Sequence, residues 1–223
     1  MGKTEGARGR LVAAGAAAMR ESGGRPLPDL VADEVVQRSG VPKSTLYQLW
    51  SNFDDFRREV LVELLRTAER QDPAAIMDAA VPVLERGGMP GEFMRAGSAA
   101  YFEQFMRSDT CRWLLAAYPH RGDEAIRREI ASTLNGVRDR FSRPLALLIA
   151  ASHRRPLPNL DANQIATLLV GLFVGMAVRE RLDPGSATRE MPWFATDGTP
   201  EVWPRIAVAS QAIILRCTEE VNG

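Results

Sequence analysis

The sequence predicts an all-α protein, and its composition and its hydrophobic pattern both support that prediction. Ala, Leu, Arg and Glu dominate the chain, and apolar residues recur at spacings of three and four residues, as on one face of a helix. Alternating runs of β-branched residues, which indicate strands, are almost absent. With 223 residues, 45% hydrophobic and 25% charged, the chain has the size and composition of one large or two small soluble globular domains.

Gly and Pro residues separate the predicted helices and set their boundaries. Asp54 and Asp55 suit a helix N-terminus electrostatically, and Pro144 is expected to kink the longest helix. The segments RRPLPNLD and DPGSATREMPWFATDGTP (183–200) are predicted to be loops, and a loop as long as the second is usually functional or mobile. The predicted helices span about 6–21, 32–39, 42–49, 54–70, 73–87, 90–107, 110–118, 123–153, 162–182 and 201–221.

Four short helices precede a larger helical body, which predicts two domains. We place an N-terminal domain at 1–53, a connecting helix at about 54–70 and a C-terminal domain at 71–223. The formal net charge is +0, so any attraction for nucleic acid must come from a local patch. No apolar run is long enough for a transmembrane helix, and the Ala- and Gly-rich segment RLVAAGAAAM lacks the strongly apolar stretch of a signal peptide. We therefore expect a cytoplasmic protein without a membrane partner.

The residue types needed for catalysis or metal binding are not grouped in this sequence. Cys111 and Cys217 are far apart, which favours reduced and mostly buried thiols, and His120 and His153 lack the spacing of metal ligands. There is no nucleophile elbow and no Gly-rich phosphate loop. We therefore expect no enzyme activity, no cofactor and no metal.

The stretch RSGVPKSTLYQLWSNF (38–53) has the features of the turn and second helix of a helix-turn-helix. Gly40 accepts the positive φ that the turn requires, and Pro42 fits the first helical position, where a missing N–H costs nothing. A small apolar cluster has the spacing needed to fix the two helices: Val35, Val36, Val41, Leu46 and Leu49. Three aromatic residues are expected to anchor the end of the second helix in the core: Trp50, Phe53 and Phe56.

The outer face of that second helix has the chemistry of a surface that reads DNA. Its short hydroxyl side chains, Ser44 and Thr45, allow close approach to base edges and phosphates. Lys43 supplies charge near phosphate, Tyr47 can donate to a phosphate, and Gln48 can pair bidentately with adenine. A glycine turn between two short amphipathic helices also occurs in ordinary bundles, so the pattern alone leaves DNA binding and plain packing both open.

The sequence VADEVVQRSGVPKSTLYQLWSNFDDFRREVL (31–61) resembles the DNA-binding domain of the tetracycline-repressor (TetR) family. RLVAAGAAAMRESG resembles the first helix of that family, so the motif covers about residues 10–62. The resemblance implies a homodimer that binds a roughly palindromic double-stranded DNA operator. It also implies a C-terminal domain that binds a small-molecule effector. Members of the family usually repress transcription, so the resemblance further implies repression that the effector relieves. The matching positions are Gly40, Val41, Lys43, Thr45, Leu46, Tyr47, Trp50 and Asp54.

The sequence also departs from the family pattern at positions that bear on DNA affinity. Residues 1–70 carry 11 basic and 10 acidic groups, and each lost phosphate contact removes about one counterion's worth of salt-dependent affinity. DNA affinity is therefore expected either to be weaker than usual or to rely on an N-terminal tail that reaches a flanking groove or phosphate; a solvated, disordered tail is the other reading. A helical ligand- or partner-binding protein that has lost sequence-specific DNA binding remains the alternative function. The tail residues concerned are Lys3, Arg8 and Arg10, and the departures are Val31, Val36, Pro42, Leu49 and Phe53.

The last two long helices are the natural dimer face that the resemblance implies. Small residues four apart let two helices approach closely, and apolar residues surround them. Both helices also fit a role as plain core, which the sequence leaves open. The predicted interface residues are Leu168, Gly171, Leu172, Gly175, Ile206 and Ile213.

The middle helices carry aromatic residues that predict a pocket for a hydrophobic effector, because ligand pockets are mostly apolar with a few polar groups. Aromatic residues at helical spacing are also common in plain cores, so both readings stay open. Trp193 and Phe194, in the long loop, have two open roles, covering this pocket or bracing the dimer. The predicted pocket residues are Phe102, Phe105, Met106, Trp113, Tyr118 and Phe141.

Overall fold

The structure, a computed structural model, describes residues 2–23, 25–68, 74–87, 90–194 and 199–221. The all-α prediction is confirmed, since helices make up most of the described residues and the strands are only three to five residues long. In chain order the elements are α1 (Gly2–Glu21), α2 (Ala32–Ser39), α3 (Lys43–Leu49), α4 (Phe53–Arg66), α5 (Ala74–Glu85), α6 (Pro90–Arg107), α7 (Asp109–Ala117), α8 (Glu124–Ala151), β1 (Arg154–Pro156), α9 (Ala162–Leu182), β2 (Glu190–Phe194), β3 (Pro200–Pro204), α10 (Arg205–Cys217) and β4 (Thr218–Glu220). Single 3-10 turns lie at Leu27–Asp29 and Tyr118–His120.

Two compact units make up the chain. Unit 1 consists of Met1–Glu69 and Arg112–Thr133, and unit 2 consists of Arg70–Cys111 and Leu134–Gly223. This division differs from the predicted boundary at residue 71, because the segment 112–133 packs with the N-terminal helices. Two ion pairs join that segment to α4, Arg58 to Asp123 at 3.9 Å and Arg66 to Glu129 at 3.5 Å.

Side-chain caps explain why two helices begin close to where the sequence predicts them. Asp161 accepts a hydrogen bond from the backbone N–H of Gln164 at 2.7 Å, and the Gln164 amide oxygen accepts from the backbone of Asp161 at 2.8 Å. This reciprocal cap starts α9 at the predicted residue. The Asn52 side chain caps α4 by accepting from the N–H of Asp55 at 2.9 Å, so the helix starts at Phe53, one residue before the prediction.

The core of unit 1 forms where α1 crosses α4. Phe56, Leu61 and Leu64 of α4 are fully buried, and so is Leu11 of α1. Gly15 lies at the crossing, where an added Cβ would be 2.7 Å from Val60 Cγ2. The absence of a side chain there allows the two helices their close approach.

The core of unit 2 is a cluster of aromatic rings from α6, α8 and α9. The rings of Tyr101 and Phe141 stack with centroids 4.8 Å apart, and Phe173 meets Phe141 edge-on at 5.8 Å. Phe102 joins from α6, 6.1 Å from Phe173. Burial in this cluster raises the pKa of Tyr101 to about 12.

Two short pairs of strands correct the sequence prediction. The segment 183–200 was predicted to lack regular structure, but β2 pairs antiparallel with β3, placing Trp193 opposite Glu201. The helix expected from 201 therefore starts at Arg205, after Pro204 at its N-cap. Similarly, β1 lies in a segment predicted to be a loop, and it pairs with β4, where the last helix was expected to continue. Strands of three to five residues are too short to show a detectable alternating pattern in the sequence.

Both ends of α2 and of α6 match the prediction, and the remaining helix boundaries differ from it by at most four residues, as is usual at frayed or capped ends. Pro144 lies inside α8, which continues across it. Among the described residues, no helix combines the length and the apolar character needed to cross a lipid bilayer.

Candidate nucleic-acid interface

A glycine turn joins α2 to α3. Gly40 has φ 65°, in the left-handed region, and its N–H donates to the carbonyl of Val36 at 3.1 Å, which ends α2. The sequence predicts Pro42 as the first helical residue of α3, but in the structure Pro42 is the N-cap, one residue before the helix. Its carbonyl accepts from the N–H of Thr45 at 2.9 Å, while its own side chain provides no cap.

Three of the five residues of the predicted apolar cluster are buried between α2 and α3, and Val36 and Leu49 are half-buried. Val35 and Leu46 are fully buried, and Val41 and Trp50 are nearly so. The Trp50 ring meets Phe56 edge-on with centroids 5.0 Å apart. This packing fixes which side of α3 faces outward.

The outer face of α3 carries the polar residues that the sequence predicts. Lys43, Ser44 and Gln48 are exposed, Tyr47 is 49% exposed, and Thr45 is half-buried. Because residues three and four apart share one side of a helix, Ser44, Tyr47 and Gln48 lie on a common surface. Their contact with DNA stays a prediction.

Lys43 already has a carboxylate partner. Its Nζ lies 2.7 Å from Oδ1 of Asp33 on α2, and this hydrogen bond, together with the charge of Asp33, raises the pKa of Lys43. Both side chains are largely exposed, at 51% and 80%. A phosphate approaching Lys43 would therefore compete with Asp33 for the same ammonium group.

The predicted N-terminal tail is helix instead. Because α1 begins at Gly2, Arg8 and Arg10 lie on its surface, while the side chain of Lys3 lies outside the described part of the chain. Arg8 donates a bidentate pair of hydrogen bonds to the carboxylate of Glu59 on α4, from Nε to Oε1 at 2.8 Å and from Nη2 to Oε2 at 2.5 Å. The structure thus gives Arg8 an intramolecular partner, and its proposed DNA contact stays a prediction, as does that of Arg10.

Glu59 of α4 contacts both Arg8 of α1 and Trp50, the residue that follows α3. Besides Arg8, it accepts a hydrogen bond from the indole N–H of Trp50 at 2.9 Å, and the guanidinium of Arg8 lies over the Trp50 ring at 5.3 Å. Burial opposes the charge of Glu59, but the hydrogen bonds from Arg8 and Trp50 outweigh it and lower its pKa. Glu59 therefore holds the end of α3 against α1 and α4.

The sequence reasoning missed Glu59 and Asp33. A buried tryptophan usually finds a hydrogen-bond partner for its N–H, which was a signal that Trp50 needs an acceptor. Nothing in the sequence indicated which carboxylate would supply it.

The start of α4 is covered by the ring of Phe53 and the guanidinium of Arg57. Phe53 is half-buried and stacks on Phe56 with centroids 5.1 Å apart. Arg57 lies over the Phe53 ring at 4.8 Å and donates to the carbonyls of Leu30 at 2.7 Å and Pro28 at 2.5 Å. Arg57 thus fixes the turn before α2, and the ring of Phe53 offers no charge to DNA.

An open cleft of about 460 Å³ lies within unit 1. Its charged lining residues are three arginines and three carboxylates, so the cleft has no net charge from its lining. It therefore adds no positive patch for DNA. The lining residues are Arg8, Trp50, Asp55, Arg58, Glu59, Val62, Arg66, Asp123 and Ala125.

In unit 2, the outer side of α9 carries four of the six predicted dimer residues. Leu168 is 51% exposed, Gly171 and Gly175 are exposed, and an added Cβ at either glycine would meet nothing within 4 Å. Leu172 is half-buried, as is Ile213 of α10. Ile206 is 1% exposed and lies in the core of the protomer, so the structure does not place it on this outer face.

The six predicted pocket residues do not share one unit. Phe102, Phe105 and Phe141 are buried in unit 2 and Met106 is half-buried there, whereas Trp113 and Tyr118 belong to unit 1. Tyr118 is 51% exposed, with the guanidinium of Arg121 over its ring at 5.3 Å. Phe102 and Phe141 pack against other rings, and a pocket beside them stays a prediction. Within the described residues, no three His, Cys, Asp or Glu side chains are placed to hold a metal ion.

Over its whole length the chain is similar to solved structures of transcriptional regulators. A regulator from Rhodococcus sp. Rha1 has 19% identity over 94% of this chain and 95% of that one, with a TM-score of 0.43. Reduced Escherichia coli NemR has 15% identity over 97% and 100%, with a TM-score of 0.46. The TetR family regulator PfmR from Thermus thermophilus has 17% identity over 93% and 97%, with a TM-score of 0.37. No protein-family model and no curated protein matches the chain.

Proposed function

We propose that this protein is a DNA-binding transcriptional regulator of the TetR type. It acts as a homodimer on a roughly palindromic operator in the cytoplasm, and it represses transcription until a small molecule releases it. The observation that carries this proposal is the two-sided character of α3. Its inner side is anchored by Leu46 and Trp50, while Lys43, Tyr47 and Gln48 are exposed on the outside.

The outer side of α3 supplies each kind of contact that a recognition helix uses. Phosphate contacts position such a helix, and Lys43 and Tyr47 carry a charge and a hydroxyl for them. Gln48 has the amide geometry that pairs bidentately with adenine in the major groove. The Trp50–Glu59–Arg8 contacts support this reading, because a helix that reads bases must be held rigidly from behind.

Dimerisation through α9 fits the proposal, because an isologous pair of recognition helices would meet successive major grooves about 34 Å apart. The exposed stripe of Leu168, Gly171, Gly175 and Leu182 is apolar and has space beside its glycines. Leu182 is 82% exposed, an unfavourable state for a large apolar side chain that a second copy of α9 would relieve.

The effector belongs to unit 2 in this proposal and is expected to be largely hydrophobic. The aromatic residues Phe102, Phe105 and Phe141 favour an apolar ligand over a sugar or a nucleotide.

Three observations favour the alternative, a helical ligand- or partner-binding protein without sequence-specific DNA binding. Lys43 is paired with Asp33, Phe53 stands at the start of α4, and Pro42 brings neither a hydroxyl nor an N–H to the phosphate side. This alternative predicts DNA affinity that is weak and independent of sequence.

Selection from a pool of random duplexes separates the two candidates. The purified full-length protein is incubated with the pool, and bound duplexes are amplified over several rounds. The proposal predicts enrichment of a roughly palindromic sequence that binds more tightly than a scrambled duplex of the same composition, as measured by fluorescence anisotropy. Tyr47→Phe should weaken binding to the enriched duplex by removing a phosphate donor. A pool without enrichment would contradict the DNA-binding role.

Sedimentation velocity tests the dimer. Leu168→Glu would place a charge on the stripe and is expected to shift the protein to monomers. Leu147→Glu on α8 is the matched control, since Leu147 is 56% exposed and Leu168 is 51% exposed. A dimer that persists in Leu168→Glu, or one lost equally in both variants, would contradict the α9 interface.

A further inference from the structure

Unit 2 contains a buried arginine on the first half of α6. The side chain of Arg95 is 2% exposed, and its Nη1 donates to the side-chain oxygen of Gln211 on α10 at 3.0 Å. Its Nη2 is paired with Glu201 of β3, and its guanidinium lies over the Trp203 ring at 4.4 Å. Burial lowers the pKa of Arg95, and the negative charges of Glu201 and then Glu92 partly offset this shift. A buried guanidinium is costly unless it is fully paired, so this arrangement calls for a reason.

The pairing of Arg95 is incomplete. Its Nε is buried and has no hydrogen-bond partner. Glu201 uses the single oxygen Oε2 for Arg95, and that oxygen also accepts from the indole N–H of Trp203 at 2.8 Å. A guanidinium binds a carboxylate best with two parallel N–H···O bonds, for example from Nε and Nη2. Glu201 therefore accepts from Nη2 of Arg95 but not from Nε, so the guanidinium lacks the second of the two parallel hydrogen bonds.

Glu201 is also the more accessible member of the pair. Its side chain is 25% exposed, and it lies on the β2–β3 hairpin and not on the helices that bury Arg95. By contrast, the helical partner is tightly held, because an added Cβ at Gly91 would lie 2.6 Å from Nε2 of Gln211 and 3.4 Å from Nη1 of Arg95. A competing acid would displace Glu201 more easily than Gln211.

We propose that Arg95 is the binding site for the carboxylate of an organic-acid effector, which takes the place of Glu201. The inference rests on the proposed function, in which an effector binds unit 2, and it specifies the chemistry of that effector. Phe102 lies seven residues along α6 on the same face, about 10 Å away at 1.5 Å per residue. The effector is then an amphipathic acid, with its carboxylate at Arg95 and its apolar body toward Phe102.

Charge balance makes the site selective for an acid. Glu92, the other carboxylate that acts on Arg95, has its own partner in Arg86 at 3.5 Å. When a ligand carboxylate replaces Glu201, Arg95 keeps one negative partner. An alcohol or an amine that displaced Glu201 would leave the buried guanidinium unpaired.

Calorimetric titration with sodium octanoate tests the site, with octan-1-ol as the uncharged probe of the same length. Octanoate is expected to bind the wild-type protein, and to bind Glu201→Gln about tenfold more tightly because the competing carboxylate is gone. Arg95→Gln is expected to weaken octanoate binding at least about tenfold. Octanol should distinguish none of these proteins. Arg107→Gln is the matched control, since Arg107 is an exposed arginine of α6 paired with Glu103, and it should leave octanoate binding unchanged.

The inference is overturned if octanoate binds neither the wild-type protein nor Glu201→Gln, or if Glu201→Gln binds it no more tightly than the wild type. If circular dichroism shows that Arg95→Gln does not fold, the comparison of Glu201→Gln with the wild type decides alone. The titration contains no DNA. Loss of octanoate binding with intact operator selection would therefore reject only this site, and failed selection with intact octanoate binding would reject only the regulator.

Discussion

Replacing Gly15 with alanine is expected to destabilise unit 1, although alanine favours helices. Gly15 is buried in α1, and a Cβ there would lie 2.7 Å from Val60 Cγ2 and 3.0 Å from Phe56 Cζ. Both neighbours are 0% exposed, and the β-branched Val60 is stiff, so neither side chain can swing into solvent. Overpacking a core costs about 1–3 kcal/mol, whereas replacing a helical glycine with alanine gains about 1 kcal/mol. The net loss is therefore about 1 kcal/mol, within a range of about 0–2.

Gly9→Ala provides the matched control in the same helix. Gly9 is exposed and has nothing within 4 Å of an added Cβ, so this substitution should keep the propensity gain of about 1 kcal/mol. Hydrogen exchange of peptides from α4, read by mass spectrometry, reports the opening free energy of unit 1 without assuming that the two units unfold together. Gly15→Ala should lie about 1–3 kcal/mol below Gly9→Ala. Equal protection in the two variants would refute the close packing of α1 on α4.

Three further outcomes follow from the ion pairs of unit 1. Asp33→Asn should strengthen DNA binding at low salt, because Lys43 no longer has a competing carboxylate; anisotropy titrations that show weaker or unchanged binding would contradict this. Trp50→Phe should cost about 1 kcal/mol in urea unfolding, because Glu59 loses an N–H donor, and it should weaken DNA binding as well; a variant as stable as the wild type would argue against the bridge. Since the folded pKa of Glu59 is lowered from 4.5, its stabilising contribution is present above pH 4.5 and disappears as the pH falls through the folded value. The free energy of unfolding should thus fall more steeply with decreasing pH in the wild type than in Glu59→Gln, and a stability difference between the two that does not change with pH would contradict that.

Long helices and the turn between α2 and α3 were predictable because their signals are local. The 3.6-residue period placed Lys43 and Gln48 outside and Leu46 inside, and the predicted start of α9 is the residue after its Asp161 cap. Gly40 was predictable because only the left-handed conformation closes that turn, and glycine adopts it without strain.

The partners of charged side chains were not predictable, because they depend on packing between distant segments. Arg8 meets Glu59 across 51 residues of sequence, and Arg95 meets Glu201 across 106. The β2–β3 hairpin was missed for a different reason. Its strands contain proline and acidic residues, which are typical of loops, and pairing with each other is what makes them strands.

The salt dependence of DNA binding tests the central claim most directly. Anisotropy titrations on the enriched duplex would be run over a range of salt concentrations for the wild-type protein, Lys43→Ala and the exposed-arginine control Arg107→Ala. If α3 reads DNA, affinity falls with salt. Because the dimer carries two copies of Lys43, Lys43→Ala reduces the slope of log K against log salt by about 1.8, and Arg107→Ala leaves the slope unchanged. A slope that is the same in Lys43→Ala and the wild type would show that Lys43 neutralises no DNA phosphate, and would contradict the account.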